Sequence, residues 1–134
     1  MERMRVGEML RERTDGGYPI LCQAVSMGQD YTICVWGGDT PHVGSVVMSV
    51  ARPSLTGEGT GVTSSVINGM GHKDEYVARK FAEAAAMKYN CTVVCACGIH
   101  IDRITKEQLK DVADACDRLL MHLLENEKLQ NFID

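Results

Sequence analysis

Three of the four histidines lie where one predicted secondary-structure element gives way to the next, and each has an aspartate nearby in the sequence. His42 follows the loop sequence GGDTP and opens a strand, His72 opens a helix, and His100 follows a buried strand. The nearby acids are Asp39, Asp74 and Asp102. Loops on a rigid scaffold commonly carry the binding groups of a fold. The recurrence therefore favours one shared binding site.

Imidazole and carboxylate groups in one place suit metal binding as well as the binding of a polar organic ligand. His42, His72, His100 and Asp102 form a donor set that manganese or zinc accepts. The long separations between the histidines match no metal-binding motif. Each residue also has an ordinary structural interpretation, as a turn, helix-start or strand-end residue. The sequence therefore predicts a site and leaves its chemistry open.

A second set of residues suits the binding of phosphate. In the stretch NGMGHKD, Gly71 precedes a predicted helix, so backbone N–H groups and the helix dipole can face an anion. Lys73 adds a positive charge, and further donors lie upstream at Arg52, Ser64 and Ser65. The stretch is neither a dinucleotide fingerprint nor a Walker loop. The Ser-, Thr- and Gly-rich loop before it is equally typical of a plain surface connection.

No nucleophilic catalytic motif accompanies these residues. The six cysteines include no C-x-x-C pair, and we interpret them as reduced, small, buried hydrophobic residues. Cys97 faces the core by strand alternation, which disfavours a reactive thiolate. Trp36, beside the GGD loop, is either a core residue or a stacking surface for a planar ligand.

The hydrophobic pattern predicts several strands, a helix, a further strand and a second helix. Strands are predicted over 18–26 and 31–36 as a hairpin, then over 43–51, 62–68 and 91–97. One helix covers 73–89, and a capping box of Thr105 and Gln108 begins the other. This order predicts an α+β fold for residues 1–134 as a single domain, in which two long helices pack on a mainly antiparallel sheet. Residues 1–17 and those from Glu125 onward receive no assignment.

The strand at 43–51 alternates between apolar and hydroxyl side chains. Val46, Met48 and Val50 share one face, and Ser45 and Ser49 share the other. This alternation is typical of a half-buried strand in an antiparallel sheet.

Composition excludes several classes of partner. The 134 residues carry a net charge of −4 with no long basic run, which argues against nucleic-acid binding. No segment approaches the about 20 apolar residues of a membrane span. The charged N-terminal residues do not lead into an apolar stretch, so we expect no signal peptide and no membrane partner. We expect a cytoplasmic protein.

Three longer stretches carry a resemblance to a known family. They are GGDTPHVGSVVMSVARPSL, TSSVINGMGHKDEYVARKFAEAAA and VVCACGIHIDRITKEQL, and they extend from about Gly37 to Leu109. Together they resemble the small prenylated-flavin chaperones that accompany UbiD-type decarboxylases of phenolic and aromatic acids. The family pattern centres on GGD-x-PH, RPS, SS, GHKD and G-x-H-x-D, and all five motifs are present here.

The resemblance implies a cofactor-binding accessory protein rather than an enzyme. Such a protein binds prenylated FMN and supports its delivery to, or maturation in, a UbiD-type decarboxylase. It also implies a fold similar to that of proteasome assembly chaperones and a homodimer, with a flavin prenyltransferase as a further candidate partner. The cofactor-binding residues expected from side-chain chemistry are Asp39, His42, Arg52, Ser64, Ser65, Gly71, His72, Lys73, His100 and Asp102.

These residues have distinct expected roles. We expect the phosphate at the helix start formed by Gly71 and Lys73. The histidines and acids would line the flavin ring or hold a divalent ion, manganese or zinc. The alternatives are a metal-dependent enzyme that uses His42, His72 and His100, and a docking subunit of a decarboxylase that binds no small molecule.

Overall fold

The structure, a computed structural model, describes residues 3–70 and 73–133, with side chains as far as Leu124. Within these residues the chain forms a six-stranded sheet and two helices. The strands are β1 (Leu10–Arg13), β2 (Pro19–Met27), β3 (Asp30–Gly38), β4 (Ser45–Pro53), β5 (Thr60–Asn68) and β6 (Thr92–His100). The helices are α1 (Lys73–Tyr89) and α2 (Lys106–Ile133).

The six strands lie in the order β1-β2-β3-β6-β4-β5. The neighbours β3 and β6 are parallel, and all other neighbouring pairs are antiparallel. The α+β fold with a mainly antiparallel sheet and two helices is therefore confirmed. The sequence analysis missed β1, and it ended the last strand at Cys97, whereas pairing of Gly38 with His100 carries β6 three residues further.

Both helices pack on one face of the sheet. In α1, Val77, Phe81 and Ala85 are buried, and the small alanines let the helix approach β4 and β6 closely. The buried face of α2 covers β1 and β2. The opposite face carries the outward-pointing residues of the strands and is covered by neither helix. We call it the open face; its central residues are Leu21, Gln23, Val25, Thr32, Cys34, Trp36, Val46, Met48, Val50, Thr63, Ser65, Ile67, Thr92, Val94 and Ala96.

Side chains and backbone geometry fix the ends of the helices. The predicted capping box is confirmed, because Gln108 N donates to Thr105 Oγ1 at 3.1 Å and Thr105 N donates to Gln108 Oε1 at 2.9 Å. Asn90 ends α1 with a φ of 52°, and Cys91 N then donates to Ala86 O at 3.2 Å. None of the described helices is long and apolar enough to cross a membrane.

Candidate functional site

The parallel pairing of β3 and β6 brings the predicted site together at one edge of the sheet. Parallel strands end on the same side, so Gly38 at the end of β3 lies beside His100 at the end of β6. β4 runs antiparallel to β6 and begins at Ser45, opposite Cys97. The 39–44 loop therefore spans the edge between β3 and β4, next to the end of β6.

Backbone hydrogen bonds hold this loop against β6. Asp39 N donates to His100 O at 2.6 Å, and Gly44 N donates to Cys97 O at 2.9 Å. The loop crosses directly over Gly98, where an added Cβ would lie 1.6 Å from His42 O. A residue with a side chain at position 98 would therefore push the loop and His42 away from the sheet.

His42 pairs with Asp74, the second residue of α1. The distance from His42 Nε2 to Asp74 Oδ2 is 3.4 Å, and Ile99 N donates to the other carboxylate oxygen at 3.0 Å. Asp74 is only 6% exposed. A Cβ at Gly44 would overlap the Asp74 carboxylate, so a glycine there makes room for this pair. The buried aspartate thus joins the 39–44 loop, β6 and the start of α1.

His100 forms a second pair beside the first. Its Nε2 lies 2.9 Å from Asp102 Oδ1, and Asp102 N donates to Asp39 Oδ2 at 3.0 Å. The His42 and His100 rings lie 6.2 Å apart between centroids and are nearly perpendicular, at 85°. We call these five residues the rim cluster: Asp39, His42, Asp74, His100 and Asp102.

The carboxylates influence which ring nitrogens are available to a ligand. An aspartate beside Nε2 favours the neutral tautomer in which Nε2 carries the proton, because that N–H donates to the carboxylate. The Nδ1 atom of His100, whose Nε2 lies 2.9 Å from Asp102 Oδ1, then remains as a hydrogen-bond acceptor. The rim cluster can therefore accept hydrogen bonds from N–H or O–H groups of a ligand.

A cavity of about 320 Å³ adjoins the rim cluster on the side of the open face. Its lining residues are Cys34, Val35, Trp36, Pro41, His42, Val43 and Ala96. Trp36 is only half-buried and does not belong to the buried core. We call this the Trp36 cavity; it combines an aromatic wall with an imidazole at one end.

A second cavity of about 200 Å³ lies on the helix side of the rim. It is mainly apolar, with the starts of α1 and α2 as its walls. Its lining residues are Lys73, Asp74, Tyr76, Val77, Ile99, Ile104, Leu109, Val112 and Ala113. Asp74 lines this cavity and also contacts His42, which lines the first, so the His42–Asp74 pair lies between the two cavities.

The structure does not bring all the predicted phosphate donors to this edge. Arg52 lies seven residues beyond Ser45, about 23 Å along β4 from the rim. There its guanidinium donates to Thr63 Oγ1 at 2.9 Å and to Val62 O at 3.1 Å. The Arg52 side chain therefore lies far from the rim cluster.

Ser64 and Ser65 point to opposite faces of β5. Ser64 Oγ donates to Glu83 Oε2 of α1 at 2.7 Å, whereas Ser65 is exposed on the open face. Lys73 is exposed at the start of α1 and precedes Asp74. Gly71 and His72 lie outside the described residues. A phosphate-binding role for this set stays a prediction.

The described residues give no support to the metal prediction. Among them, no group of three or more His, Cys, Asp or Glu side chains is arranged to hold a metal ion. The rings of His42 and His100 converge, but each directs its Nε2 at a carboxylate. His72, the third predicted ligand, lies outside the described residues.

The interpretation of the cysteines as buried hydrophobic residues is confirmed for four of the six. Cys22, Cys95, Cys97 and Cys116 are buried and free, whereas Cys91 is half-buried and Cys34 is exposed. Burial raises the pKa of Cys22 and Cys116 from 9.0 to about 12, and it also raises the pKa of Cys95 and Cys97. These four thiols therefore stay protonated at neutral pH and do not act as nucleophiles.

Sequence reasoning missed one contact of the site. It noted Asp74 as the acid near His72 in sequence, and the structure places the Asp74 carboxylate beside His42, while His72 lies outside the described residues. The available signal was the glycines at positions 44 and 98, because they allow the close approach that this pair requires.

The fold defines a class of protein. It is similar to that of a chain in the crystal structure of a novel chaperone complex for yeast 20S proteasome assembly, with a TM-score of 0.54. The similarity covers 91% of this chain and 95% of that chain, at 8% sequence identity. At so low an identity it shows the fold alone, and it confirms the expected similarity to proteasome assembly chaperones.

The sequence defines the family within that class. Residues 14–128 match the prenylated flavin chaperone LpdD-like domain. Over 110 residues the chain is 30% identical to Protein LpdD of Lactiplantibacillus plantarum, which covers 81% of this chain and 76% of that protein. The chain belongs to the LpdD-like family of prenylated-flavin chaperones.

Proposed function

We propose that this protein binds prenylated FMN and supports its delivery to, or maturation in, a UbiD-type decarboxylase of phenolic or aromatic acids. In this role it is a cytoplasmic accessory protein rather than an enzyme, and it acts as a homodimer. A flavin prenyltransferase is the expected source of the cofactor. The observation that carries the proposal is the Trp36 cavity, which opens beside the imidazoles of the rim cluster.

The residues around this cavity fit a flavin ring. A planar ring system stacks favourably on an indole, and its polar edge needs hydrogen-bond partners. Trp36 and Ala96 supply apolar surface, while His42 supplies a polar group at one end. Cavities that bind cofactors are about 300 Å³ or larger and combine apolar walls with a few polar groups. The Trp36 cavity meets that description at 320 Å³.

The rim cluster positions the polar edge of the ring. Nδ1 of His42 and of His100 accept hydrogen bonds from the ring or from hydroxyl groups of the ribityl chain. Asp74 and Asp102 hold the two imidazoles in place, and Asp39 fixes the backbone of Asp102. Because each imidazole is held by a carboxylate, little conformational entropy is lost when the ligand binds.

We place the phosphate at the start of α1, where Lys73 and the Gly71–His72 backbone would meet it. Lys73 and Asp74 line the helix-side cavity, and Asp74 contacts His42 of the Trp36 cavity, so the proposed phosphate position adjoins the rim cluster. Arg52 and Ser65 lie on the open face away from this position.

Retention of the cofactor by variants of the rim cluster tests this function. The protein is co-expressed with a flavin prenyltransferase and purified anaerobically, and bound prenylated FMN is measured by absorbance and mass spectrometry. We expect His100→Ala to lower retention about tenfold, equivalent to about 1.4 kcal/mol of binding free energy. Thermal unfolding should change little, because the His100 side chain is 43% exposed.

His122→Ala is the matched control. This histidine is 58% exposed on α2 and faces Glu12 at 4.0 Å, away from the rim. It should retain as much cofactor as the unmodified protein. Unchanged retention in both His42→Ala and His100→Ala would overturn the placement of the site. An unmodified protein that carries no flavin but co-purifies with a decarboxylase would instead favour a docking subunit.

A further inference from the structure

The helix-side cavity, which lies between the starts of α1 and α2, has an apolar interior. Val77, Ile99 and Val112 form its floor, and all three are buried. Tyr76 and Leu109 also line it, but both side chains are exposed. A cavity with apolar walls and a few polar groups is the usual form of a small-molecule site. A ligand there would cover the exposed tyrosine and leucine as well as the floor.

Hydrogen bonds hold both helix starts that form the walls of this cavity. At the start of α2, Thr105 and Gln108 form the reciprocal bonds of the capping box. At the start of α1, Asp74 Oδ1 accepts a hydrogen bond from Ile99 N of β6 at 3.0 Å. Because these contacts form without a ligand, the cavity exists before binding, which lowers the entropic cost of binding.

The volume of the cavity limits its ligand to one ring. An apolar cavity of about 150 Å³ holds one benzene molecule. At about 200 Å³, the helix-side cavity has room for one ring with small substituents. Cavities that bind cofactors are about 300 Å³ or larger. The three fused rings of a flavin therefore do not fit here, and this cavity calls for a different ligand from the Trp36 cavity.

Two charged residues of the lining determine the polar groups of that ligand. Asp74 is buried, and its Oδ1 accepts from Ile99 N, whereas a carboxylate oxygen has about two acceptor sites. A buried carboxylate repels an anion but binds a hydroxyl group strongly. Lys73 is exposed and is the only cationic residue among the described lining residues. It pairs with no described acid, so its ammonium group favours an anion on the ligand.

We propose that the helix-side cavity binds a single-ring phenolic acid. The ring lies against the apolar floor, the hydroxyl group donates to Asp74, and the carboxylate meets Lys73. A phenolic acid such as 4-hydroxybenzoate carries its hydroxyl donor and its carboxylate at opposite ends of one ring. That arrangement matches a buried acceptor within the cavity and an exposed cation in its lining.

Both polar groups of this site are shared with the proposed cofactor site. Asp74 contacts His42 of the Trp36 cavity, and Lys73 is the expected partner of the cofactor phosphate. A phenolic acid takes up charge and hydrogen-bonding capacity that the cofactor uses, so each ligand weakens the binding of the other. This coupling rests on the proposed function. It makes cofactor release respond to the class of acid on which the decarboxylase acts.

Titration calorimetry of cofactor-free protein with 4-hydroxybenzoate tests the site, and we expect one molecule bound per chain. Benzoate lacks the hydroxyl group and phenol lacks the carboxylate. Each should bind about tenfold more weakly or worse, because one hydrogen bond to a charged group is lost. Lys73→Met should lower the affinity for 4-hydroxybenzoate by a similar factor and leave the affinity for phenol unchanged. Equal affinity for the three ligands, or no binding of 4-hydroxybenzoate, would overturn the site.

A matched pair of alanine variants tests the location of the ligand. Ala113 of α2 lines the cavity, whereas Ala84 is a half-buried residue of α1 that lines neither cavity. Ala113→Leu fills the cavity and should lower the affinity for 4-hydroxybenzoate more than about tenfold. Ala84→Leu should leave that affinity unchanged. Binding by Ala113→Leu as tight as by the unmodified protein would contradict the location, and Lys73→Met tests it at an exposed position where packing is not disturbed.

Cofactor retention separates this inference from the proposed function. In protein loaded with prenylated FMN, saturating 4-hydroxybenzoate should lower retention about fivefold or more, and Ala113→Leu should abolish this effect. Retention that does not respond to bound 4-hydroxybenzoate would overturn the coupling. Protein that binds 4-hydroxybenzoate but never carries flavin would overturn the proposed function alone. Protein that carries flavin but does not bind 4-hydroxybenzoate would overturn the phenolic-acid site alone.

Discussion

Both faces of the sheet carry apolar side chains, but the two sets differ in burial. On the covered face, Phe81, Ala82 and Ala85 of α1 are fully buried against the strands. On the open face, Met48 and Ile67 are 43% and 74% exposed. The covered face therefore stabilises the folded chain, whereas the partly exposed side chains of the open face contribute less to its stability.

The outer surface of the helices completes this comparison. It carries the ion pair between Lys80 and Asp117, and Arg79 pairs with Glu75 and Glu83 at the margin next to β5, where Glu83 also accepts from Ser64. A surface that stays in water tolerates such charges, and the central strands of the open face carry none between their ends. The distribution of charge, more than hydrophobicity, thus distinguishes the helical surface from the centre of the open face.

Truncation of one apolar residue on each face should give the largest contrast. Phe81→Ala removes a fully buried ring and should lower the free energy of unfolding by about 3–5 kcal/mol. Met48→Ala should cost less than about 1 kcal/mol within one chain, because the side chain is already partly exposed. Urea unfolding at several protein concentrations measures both effects.

The dependence on concentration sharpens this contrast. If the homodimer of the proposed function buries Met48, stability should rise with protein concentration, and Met48→Ala should weaken that rise. Phe81→Ala should shift stability by a similar amount at each concentration. Met48→Ala could instead lower the free energy of unfolding as much as Phe81→Ala does, and by the same amount at every protein concentration. That result would show that the open face belongs to the folding core.

The buried thiols of the covered face should make stability depend on pH. Burial raises the pKa of Cys22 and Cys116 to about 12, and it raises the pKa of Cys95 and Cys97 as well. The unfolded chain loses these protons from about pH 9.0, so it binds fewer protons than the folded chain. The free energy of unfolding should keep its full value below pH 9. It should decrease between pH 9 and 12, by up to about 1.4 kcal/mol per thiol per pH unit.

Urea unfolding at successive pH values from 8 to 10 measures this slope. In a Cys22→Ala, Cys116→Ala variant, two of the five thiols whose pKa burial raises are absent, the fifth being Cys91, and the slope above pH 9 should fall by somewhat less than half. Cys34→Ala is the control, since this thiol is exposed on the open face. An unchanged slope in the double variant would show that other groups cause the alkaline loss of stability.

The fold was largely predictable because its strong signals are local. The capping box at Thr105 and the alternation of β4 each specify an element within a few residues. β1 was missed because its four residues, LRER, include three charged ones and resemble no apolar strand. It forms because Leu10 fills the core and Arg118 of α2 reaches Glu12 and the Arg13 carbonyl.

The site was predictable only in part because its contacts are not local. His42 and His100 were identified at element ends, and the parallel β3–β6 pair brings them together. The pairing of Asp74 with His42, and the distance of Arg52 from the rim, depend on strand order, which one-dimensional patterns do not encode. The burial of Ser45 and Ser49 depends on hydrogen bonds to Asn68 and Ser64 for the same reason.

The smallest effect should come from a charge on the outer helical surface. Lys80 of α1 pairs with Asp117 of α2, and this carboxylate raises the pKa of the lysine. Both side chains remain partly exposed, at 34% and 48%, so water screens their attraction. Lys80→Met should therefore lower the free energy of unfolding by less than about 1 kcal/mol, without change in dimer mass.

A double-mutant cycle with Asp117→Asn isolates the pair, and its coupling should shrink further in high salt. A coupling of several kcal/mol, or a shift to monomer, would mean that the charged helical surface contributes to the core or to the interface, and the contrast between the two surfaces would fail.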